Sequence, residues 1–564
     1  MGKRIFVVGG VAGGAGAAVK ARRVSEDADI VVLERTPYVS WANCGLPYYI
    51  GGIIRQRDDL FVVTPERLAS RFNIDVRTRH EVLAIDRARR RVSVRNLETG
   101  DAWEEPYDAL ILATGSEPAR PPIRGLEGCS RVFTLVSMED GDRLRGFLDE
   151  RKPTNAVVIG GGFIGLEAAD ALLERGLDVT LVEMMDQLLP PVDREMAEPL
   201  AAHLRDKGAR VLLGEKVAAV TQRGGAGGDG AGASGLQLEL ASGDTVACDF
   251  VVSAAGVTPR LDLARQAGLA IGRAGGVVVN DRMQTSDPSI YAAGDICEIK
   301  HLVTGKPVRV PLAGPANKQA RVAGANAAGG NMRYAGSLGT MVVKVGDLSI
   351  AKTGLSEREA SSEGIPHYVS YTHSQHHAGY YPGARMMTIK LVADRFTGRL
   401  LGAQIVGGAG VDKRIDVIAT AIQARMTVED LEDLDLSYAP PYSSAKDPVN
   451  VAGFVAANIH RGEVDTIEPD DLMDLLEREE IQLVDVRTPG ERNRLGAIPG
   501  SRLMPVDELR ARVGELDPRK KTVVYCAVGY RSYLAYKILK QRGFENVSHL
   551  AGGFDAWKMF GGKR

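Results

Sequence analysis

The strongest constraint on this chain is a repeat. A strand-like run, a glycine-rich turn, a helix and a second strand ending in an acid occur at residues 4–34 and again at 155–183. In the first copy RIFVVG leads into Gly9, Gly10, Gly13 and Gly14, a helical stretch to about Val24, and DIVVLE closing at Glu34. In the second, NAVVIG leads into Gly160, Gly162 and Gly165, a helix stopped by Gly176, and LDVTLVE closing at Glu183. Short apolar runs bounded by turns read as buried parallel strands. The glycines let backbone approach a pyrophosphate, the helix start offers free N–H groups, and the acid can bond a ribose diol. The second copy has the full G-x-G-x-x-G spacing; in the first, Val11 stands at the middle glycine. Two such units predict an α/β chain with two Rossmann-like dinucleotide-binding domains.

The totals narrow the rest. A chain of 564 residues exceeds a single core, so several domains are expected. Lys+Arg is 70 against Asp+Glu 72, a balance that gives no field to favour nucleic acid or an anionic membrane. No run of about 18 apolar residues appears, so no membrane span is expected. The apolar run at the N-terminus ends in the phosphate loop and reads as a strand rather than a signal peptide. The five cysteines, Cys44, Cys129, Cys248, Cys297 and Cys526, are scattered and include no C-x-x-C pair. That excludes a disulfide framework and a cysteine zinc site, and points to a reducing, cytoplasmic setting. His373, His376 and His377 lie in a stretch without Cys, Asp or Glu, so no metal site is expected there.

ALILATGSEP (109–118) and TSDPSIYAAGDICE (285–298) are strands running into small-residue turns. With the two glycine loops they resemble the flavoprotein disulfide reductases. The resemblance implies FAD contacts at Gly9, Gly14, Glu34, Thr114, Gly115 and Asp295, and nicotinamide-nucleotide contacts at Gly160, Gly162, Gly165 and Glu183. A carboxylate at Glu183 repels a 2′-phosphate, so NADH is expected over NADPH.

The stretch SWANCGLPYY holds Cys44 alone, with Tyr49 where a second cysteine would complete a dithiol. It resembles the coenzyme A disulfide reductases, whose single thiol exchanges with coenzyme A. The related peroxidases carry a His in the first glycine loop, where this chain has Ala12. The resemblance implies a coenzyme A site at Lys20, Arg23, Ser40 and Asn43. It also implies a homodimer in which two tyrosines of the partner subunit approach the sulfur. Tyr380 and Tyr438 are the best matches, with Tyr381 and Tyr442 as competitors, and a phenol can protonate a departing thiolate. Cys129, Cys248 and Cys297 are expected to be structural.

IQLVDVRTPGERNRLGAIPGS and TVVYCAVGYRSYLAYKILKQRGFENVSHLAGGFDAW resemble a rhodanese domain. The resemblance implies a reactive loop from Cys526 to Arg531, between a strand and a helix, in which backbone N–H groups and Arg531 favour a thiolate carrying sulfane sulfur. Ala497 departs from the G-H-I-P-G pattern.

The expected organisation is an FAD domain at 1–150 and 280–337, an NAD(H) domain at 151–279, an α+β dimerisation domain at 338–450, a link at 451–466 and an α/β rhodanese domain at 467–564. RGGAGGDGAGASG (223–235) reads as a surface loop. The whole resembles a coenzyme A disulfide reductase fused to a rhodanese, an NADH-dependent persulfide or polysulfide reductase with small thiol substrates. A peroxide or oxygen reductase using a Cys44 sulfenate, a sulfurtransferase with a regulatory flavin half, and a redox sensor stay open.

Overall fold

A computed structural model describes residues 2–223, 235–478 and 480–561. They form two compact units, Met1–Leu189 with Leu204–Gly339, and Pro190–His203 with Thr340–Arg564.

The first unit contains the two repeats, each within a five-stranded sheet. One sheet has the order Ile290–Ala292, Ala109–Leu112, Arg4–Val8, Asp29–Glu34, Asp75–Thr78. All its pairs are parallel, with Ile5 beside Ile30 and Ala109. The other has the order Arg210–Leu213, Asp178–Glu183, Asn155–Ile159, Phe250–Ser253, Val132–Phe133. Ile5, Phe6, Val157 and Val158 are completely buried, which explains why these strands read as unbroken apolar runs. The helices Ala12–Val24 and Phe163–Glu174 leave the glycine turns at once. Glycine is required there, because a Cβ at Gly14 would sit 1.6 Å from the Gly9 carbonyl oxygen and one at Gly165 1.9 Å from that of Gly160. The strands Val217–Arg223 and Gly235–Leu240 pair antiparallel, with Arg223 opposite Gly235. Between those two, the stretch expected as a surface loop lies outside the described residues.

The second unit contains an antiparallel sheet ordered Met341–Val345, Leu348–Gly354, Leu400–Gly407, Met386–Asp394, His367–Gln375. It also contains a parallel sheet ordered Thr466–Ile467, Val547–Leu550, Thr522–Tyr525, Gln482–Asp485, Arg502–Leu503. Two features differ from expectation. The stretch taken as a link from 451 is largely the helix Pro448–His460. Its small residues Ala452 and Ala456 are fully buried, and Tyr368 of the sheet donates to the Ala456 carbonyl at 3.1 Å. Residues 190–203, read as part of the NAD(H) domain, belong to this unit instead. The reason is electrostatic. Lys390 is fully buried, and its ammonium meets Asp193 at 2.9 Å, Glu357 at 2.6 Å and Glu195. A buried amine is tolerated only when its donors are matched by acceptors, and two of these three carboxylates come from the 190–203 segment. The three acids converge closely enough to hold a metal ion, but the ammonium bonded to all three already supplies the positive charge.

Candidate active sites

The two glycine loops are fastened in the same way. Glu34 is buried; its Oε2 accepts the Gly10 N–H at 2.7 Å and its Oε1 accepts the Thr36 N–H at 2.8 Å. Glu183 repeats this with the N–H groups of Gly161 at 2.6 Å and Met185 at 2.8 Å. Each acid therefore fixes its own turn from the end of the neighbouring strand. Gly162 faces open space, with nothing within 4 Å of where a Cβ would stand, which leaves the loop open to a close-approaching diphosphate.

Gly9, Thr114 with Gly115, and Asp295 follow the carboxyl ends of three adjacent parallel strands, the edge at which such sheets bind ligands. Thr114 Oγ1 donates to the Arg260 carbonyl at 2.9 Å, and Gly115 adopts φ +64°. Asp295 accepts from Ser116 Oγ at 3.1 Å, and burial pushes its pKa up. A desolvated carboxylate with capacity to accept further bonds suits a hydroxyl-rich cofactor chain. The donor set thus fits two dinucleotides.

Cys44 lies in the same unit, in a short turn at Asn43–Gly45 ahead of the helix Leu46–Gly51. Asn43 Oδ1 accepts the Cys44 N–H at 3.1 Å and lies 3.7 Å from Sγ. Ser40, at φ +48°, donates its N–H to the Gly10 carbonyl at 2.8 Å, which ties this loop to the first glycine turn. Burial pushes the Cys44 thiol pKa up, and the carboxylates of Glu167 and Asp295 push it further. Glu167 was not foreseen. It sits on the helix of the second glycine loop, where burial raises its own pKa, and accepts from Tyr48 Oη at 3.1 Å. Burial and that carboxylate push Tyr48 to about 12. Lys20 and Arg23 stay on the first-loop helix, the former half-buried and the latter exposed. Arg22 between them is buried against the carbonyls of Phe72 and Asn73, at 2.8 and 2.7 Å, and has a structural role.

In the second unit Tyr380 and Tyr438 share a hydrogen bond at 2.8 Å although 58 residues separate them. Both are exposed, at 76% and 48%. Tyr381 instead packs edge-on against His377. Fully buried Arg414 ties the two loops together, donating to the His376 carbonyl at 2.8 Å, the Tyr442 carbonyl at 3.3 Å and Asp447 at 2.9 Å.

Cys526 is fully buried at the end of the strand Thr522–Tyr525, and the helix Tyr530–Gln541 begins four residues later. The Gly529 N–H points at Sγ from 3.2 Å, with Gly529 at φ +107°. Ser532 Oγ lies 3.6 Å from Sγ, 2.8 Å from the Gly529 carbonyl and 3.4 Å from His549 Nδ1. Burial holds His549 down at about 4, so the imidazole is neutral at physiological pH. Arg531 makes two bonds to Glu491, at 2.7 and 2.6 Å. Ser532, His549 and Glu491 were absent from the sequence reading.

The profile of the pyridine nucleotide-disulphide oxidoreductase family matches residues 3–321, that of its dimerisation domain 340–448, and that of the rhodanese-like domain 468–560. The chain belongs to the pyridine nucleotide-disulphide oxidoreductase family. As a member it uses FAD and NAD(H), here in a fusion to a C-terminal rhodanese domain. It is 34% identical over 458 residues to a coenzyme A disulfide reductase of Staphylococcus haemolyticus, covering 81% of this chain and all of that protein. It is 35% identical over 452 residues to an NADH oxidase of Methanocaldococcus jannaschii, covering 80% of this chain and 97% of that one. Among solved structures, reduced CoADR-RHD of Bacillus anthracis superposes with a TM-score of 0.94 at 44% identity, covering 99% of this chain and 98% of that one. An NAD-dependent persulfide reductase from A. fulgidus gives 0.90 at 40% identity, covering 98% and 100%. Among the described residues no helix is long and apolar enough to cross a membrane.

Proposed function

We propose that this oxidoreductase uses NADH and FAD to reduce coenzyme A disulfide, coenzyme A persulfide or polysulfide through Cys44 alone, while Cys526 handles sulfane sulfur and hydrogen sulfide is released. The observation that carries this reading is the setting of Cys44. Its close partners are Asn43 and the carboxylates of Glu167 and Asp295, and Tyr49 stands where a second thiol would be. The sulfur that exchanges with it therefore arrives with the substrate.

Gly9, Gly14, Glu34, Thr114, Gly115 and Asp295 hold FAD; Gly160, Gly162, Gly165 and Glu183 hold NADH. When bound, the two supply a pair of electrons. Cys44 Sγ, as thiolate, attacks the coenzyme A sulfur of the substrate. A Cys44–coenzyme A disulfide forms, and a coenzyme A thiolate or hydrosulfide leaves. Two electrons then open that disulfide and return both thiolates. Lys20, Arg23, Ser40 and Asn43 hold coenzyme A. The chain acts as a homodimer in which Tyr380 and Tyr438 of one copy serve Cys44 of the other, giving a proton to the departing sulfur. The domain limits proposed are those expected from the sequence, except that residues 190–203 group with the second unit and the link from 451 is largely helical.

The test is NADH oxidation with coenzyme A persulfide, with sulfide measured alongside. One sulfide per NADH is expected, with NADH preferred to NADPH; NADH loss without sulfide release refutes the reading. The likeness to an NADH oxidase favours oxygen as a second acceptor, against which stands Ala12 where a peroxidase has its histidine. Dioxygen or peroxide consumed at a higher kcat/KM than any sulfur substrate would establish it.

A further inference from the structure

The sequence led us to expect Arg531 as a charge that draws anions to Cys526. The structure gives that charge a second owner. Glu491 occupies the third position of the helix Pro489–Leu495 and is locked there by a capping box with Thr488. Its Oε2 accepts the Thr488 N–H at 3.0 Å and Thr488 Oγ1 at 2.9 Å. Both its oxygens also accept from the Arg531 guanidinium, at 2.7 and 2.6 Å. Both side chains are largely withdrawn from solvent, at 29% exposed for Arg531 and 22% for Glu491, where charges are weakly screened. Arg531 in turn lies within reach of Cys526 Sγ. Two further arginines of the domain are also spoken for: Arg487 and Arg492 face Asp485, at 2.8 and 3.8 Å. The mouth of the loop carries Ala527, Val528 and the exposed Tyr530 rather than cations.

We infer that Glu491 is a specificity-determining residue: by cancelling Arg531 it selects an organic persulfide, which brings at most one negative charge, over an inorganic dianion such as thiosulfate as sulfur donor to Cys526. This deepens the reading of Cys526 as a sulfane carrier and rests on it.

The charge balance of the two transfers explains the choice. With a protonated persulfide, the Cys526 thiolate attacks the terminal sulfur, an S–S bond forms to Sγ, the donor's S–S bond breaks, and a thiolate departs with the electron pair. One negative charge is present throughout. With thiosulfate the same attack releases sulfite, and the donor's two negative charges join that of the thiolate, so three gather beside one cancelled arginine where a persulfide brings the total to one or two. Like charges brought together in a poorly screened site are costly, and a neighbouring carboxylate adds to that cost.

The test uses the full-length FAD-loaded protein with Cys44→Ser, so that donors are not consumed at the other thiol. The rate at which the Cys526 peptide gains one sulfur atom is followed by mass, with thiosulfate and with the persulfide of 2-mercaptoethanol as donors. Glu491→Gln removes the charge but keeps the cap, since Gln also completes a capping box. Wild type is expected to favour the persulfide. The substitution is expected to raise the thiosulfate rate by about tenfold and leave the persulfide rate within about twofold. Equal changes for both donors overturn the inference, because Glu491 would then only hold Arg531 in place. Failure of wild-type Cys526 to gain sulfur from either donor refutes the carrier reading itself.

Discussion

The two thiols proposed to do the chemistry live in opposite surroundings. Cys44 reaches the surface, yet its sulfur is partly desolvated, and that together with the carboxylates of Glu167 and Asp295 favours the protonated form. Cys526 is fully buried but has donors aimed at its sulfur, the Gly529 N–H and the Ser532 hydroxyl. A site that brings its own donors can stabilise an anion unaided. A site that lacks them depends on what binds beside it. The difference supports the proposed division, with cofactor-coupled reduction at Cys44 and autonomous sulfur capture at Cys526.

The largest effect expected from breaking this division comes from the thiols themselves. Cys44→Ser should abolish NADH-driven reduction of coenzyme A substrates, at least ~10³-fold in kcat/KM, while Cys526 still acquires sulfur. Cys526→Ser should do the reverse and leave reduction of coenzyme A disulfide within about twofold. If both variants lose persulfide reduction equally, the two thiols form one obligatory relay.

Next in size is the tyrosine pair. Tyr438→Phe keeps the ring but removes the hydroxyl bonded to Tyr380, and should lower kcat by ~10²-fold or more at unchanged FAD content. Mixing this chain with Cys44→Ser chains should restore one intact site per hybrid dimer. No recovery under verified subunit exchange contradicts the shared site.

A smaller effect probes the built-in donors. Removing the hydroxyl with Ser532→Ala should slow alkylation of Cys526 by a small reagent near pH 7 by about tenfold, leaving the Cys44 rate unchanged. A parallel slowing at Cys44 would mean general disruption.

The smallest effect is on stability. His549 titrates near 4 in the folded chain and near 6.5 when unfolded, so the unfolded chain takes up the proton first. The stability that His549 contributes by staying neutral is therefore complete above about pH 6.5 and is lost as pH falls towards 4, reaching about 1 kcal/mol of loss near pH 5.5. His549→Gln should flatten the fall in Tm of the rhodanese transition between about pH 7.5 and 5.5. An unchanged slope sinks this account.

Sequence and structure agree best where chemistry is dictated locally. The turns at Gly9 and Gly160 need positive φ, their third glycines need to lack a Cβ, and each strand-end acid lies within one repeat. Such features appear as spacing. Glu167 reaches Tyr48 across 119 residues, and Glu491 reaches Arg531 across 40, so neither contact has a period or spacing to reveal it. Tyr380 and Tyr438 were chosen by resemblance; the loops near them are joined by Arg414, a buried residue whose role no pattern announces. The segment 190–203 groups with the second unit through Lys390, almost two hundred residues away, a tie that no local pattern shows.

The burial of Cys526 also governs how the protein's sulfur can be counted. A bulky aromatic disulfide needs a clear line of attack, and in the folded chain Cys44 offers surface whereas Cys526 offers none. A native thiol assay with such a reagent therefore reads the reductase half and is blind to whether the carrier is empty or loaded. If Cys526 carries sulfur as proposed, its state emerges only after denaturation, and preparations with indistinguishable native titres can differ by a full equivalent of stored sulfur.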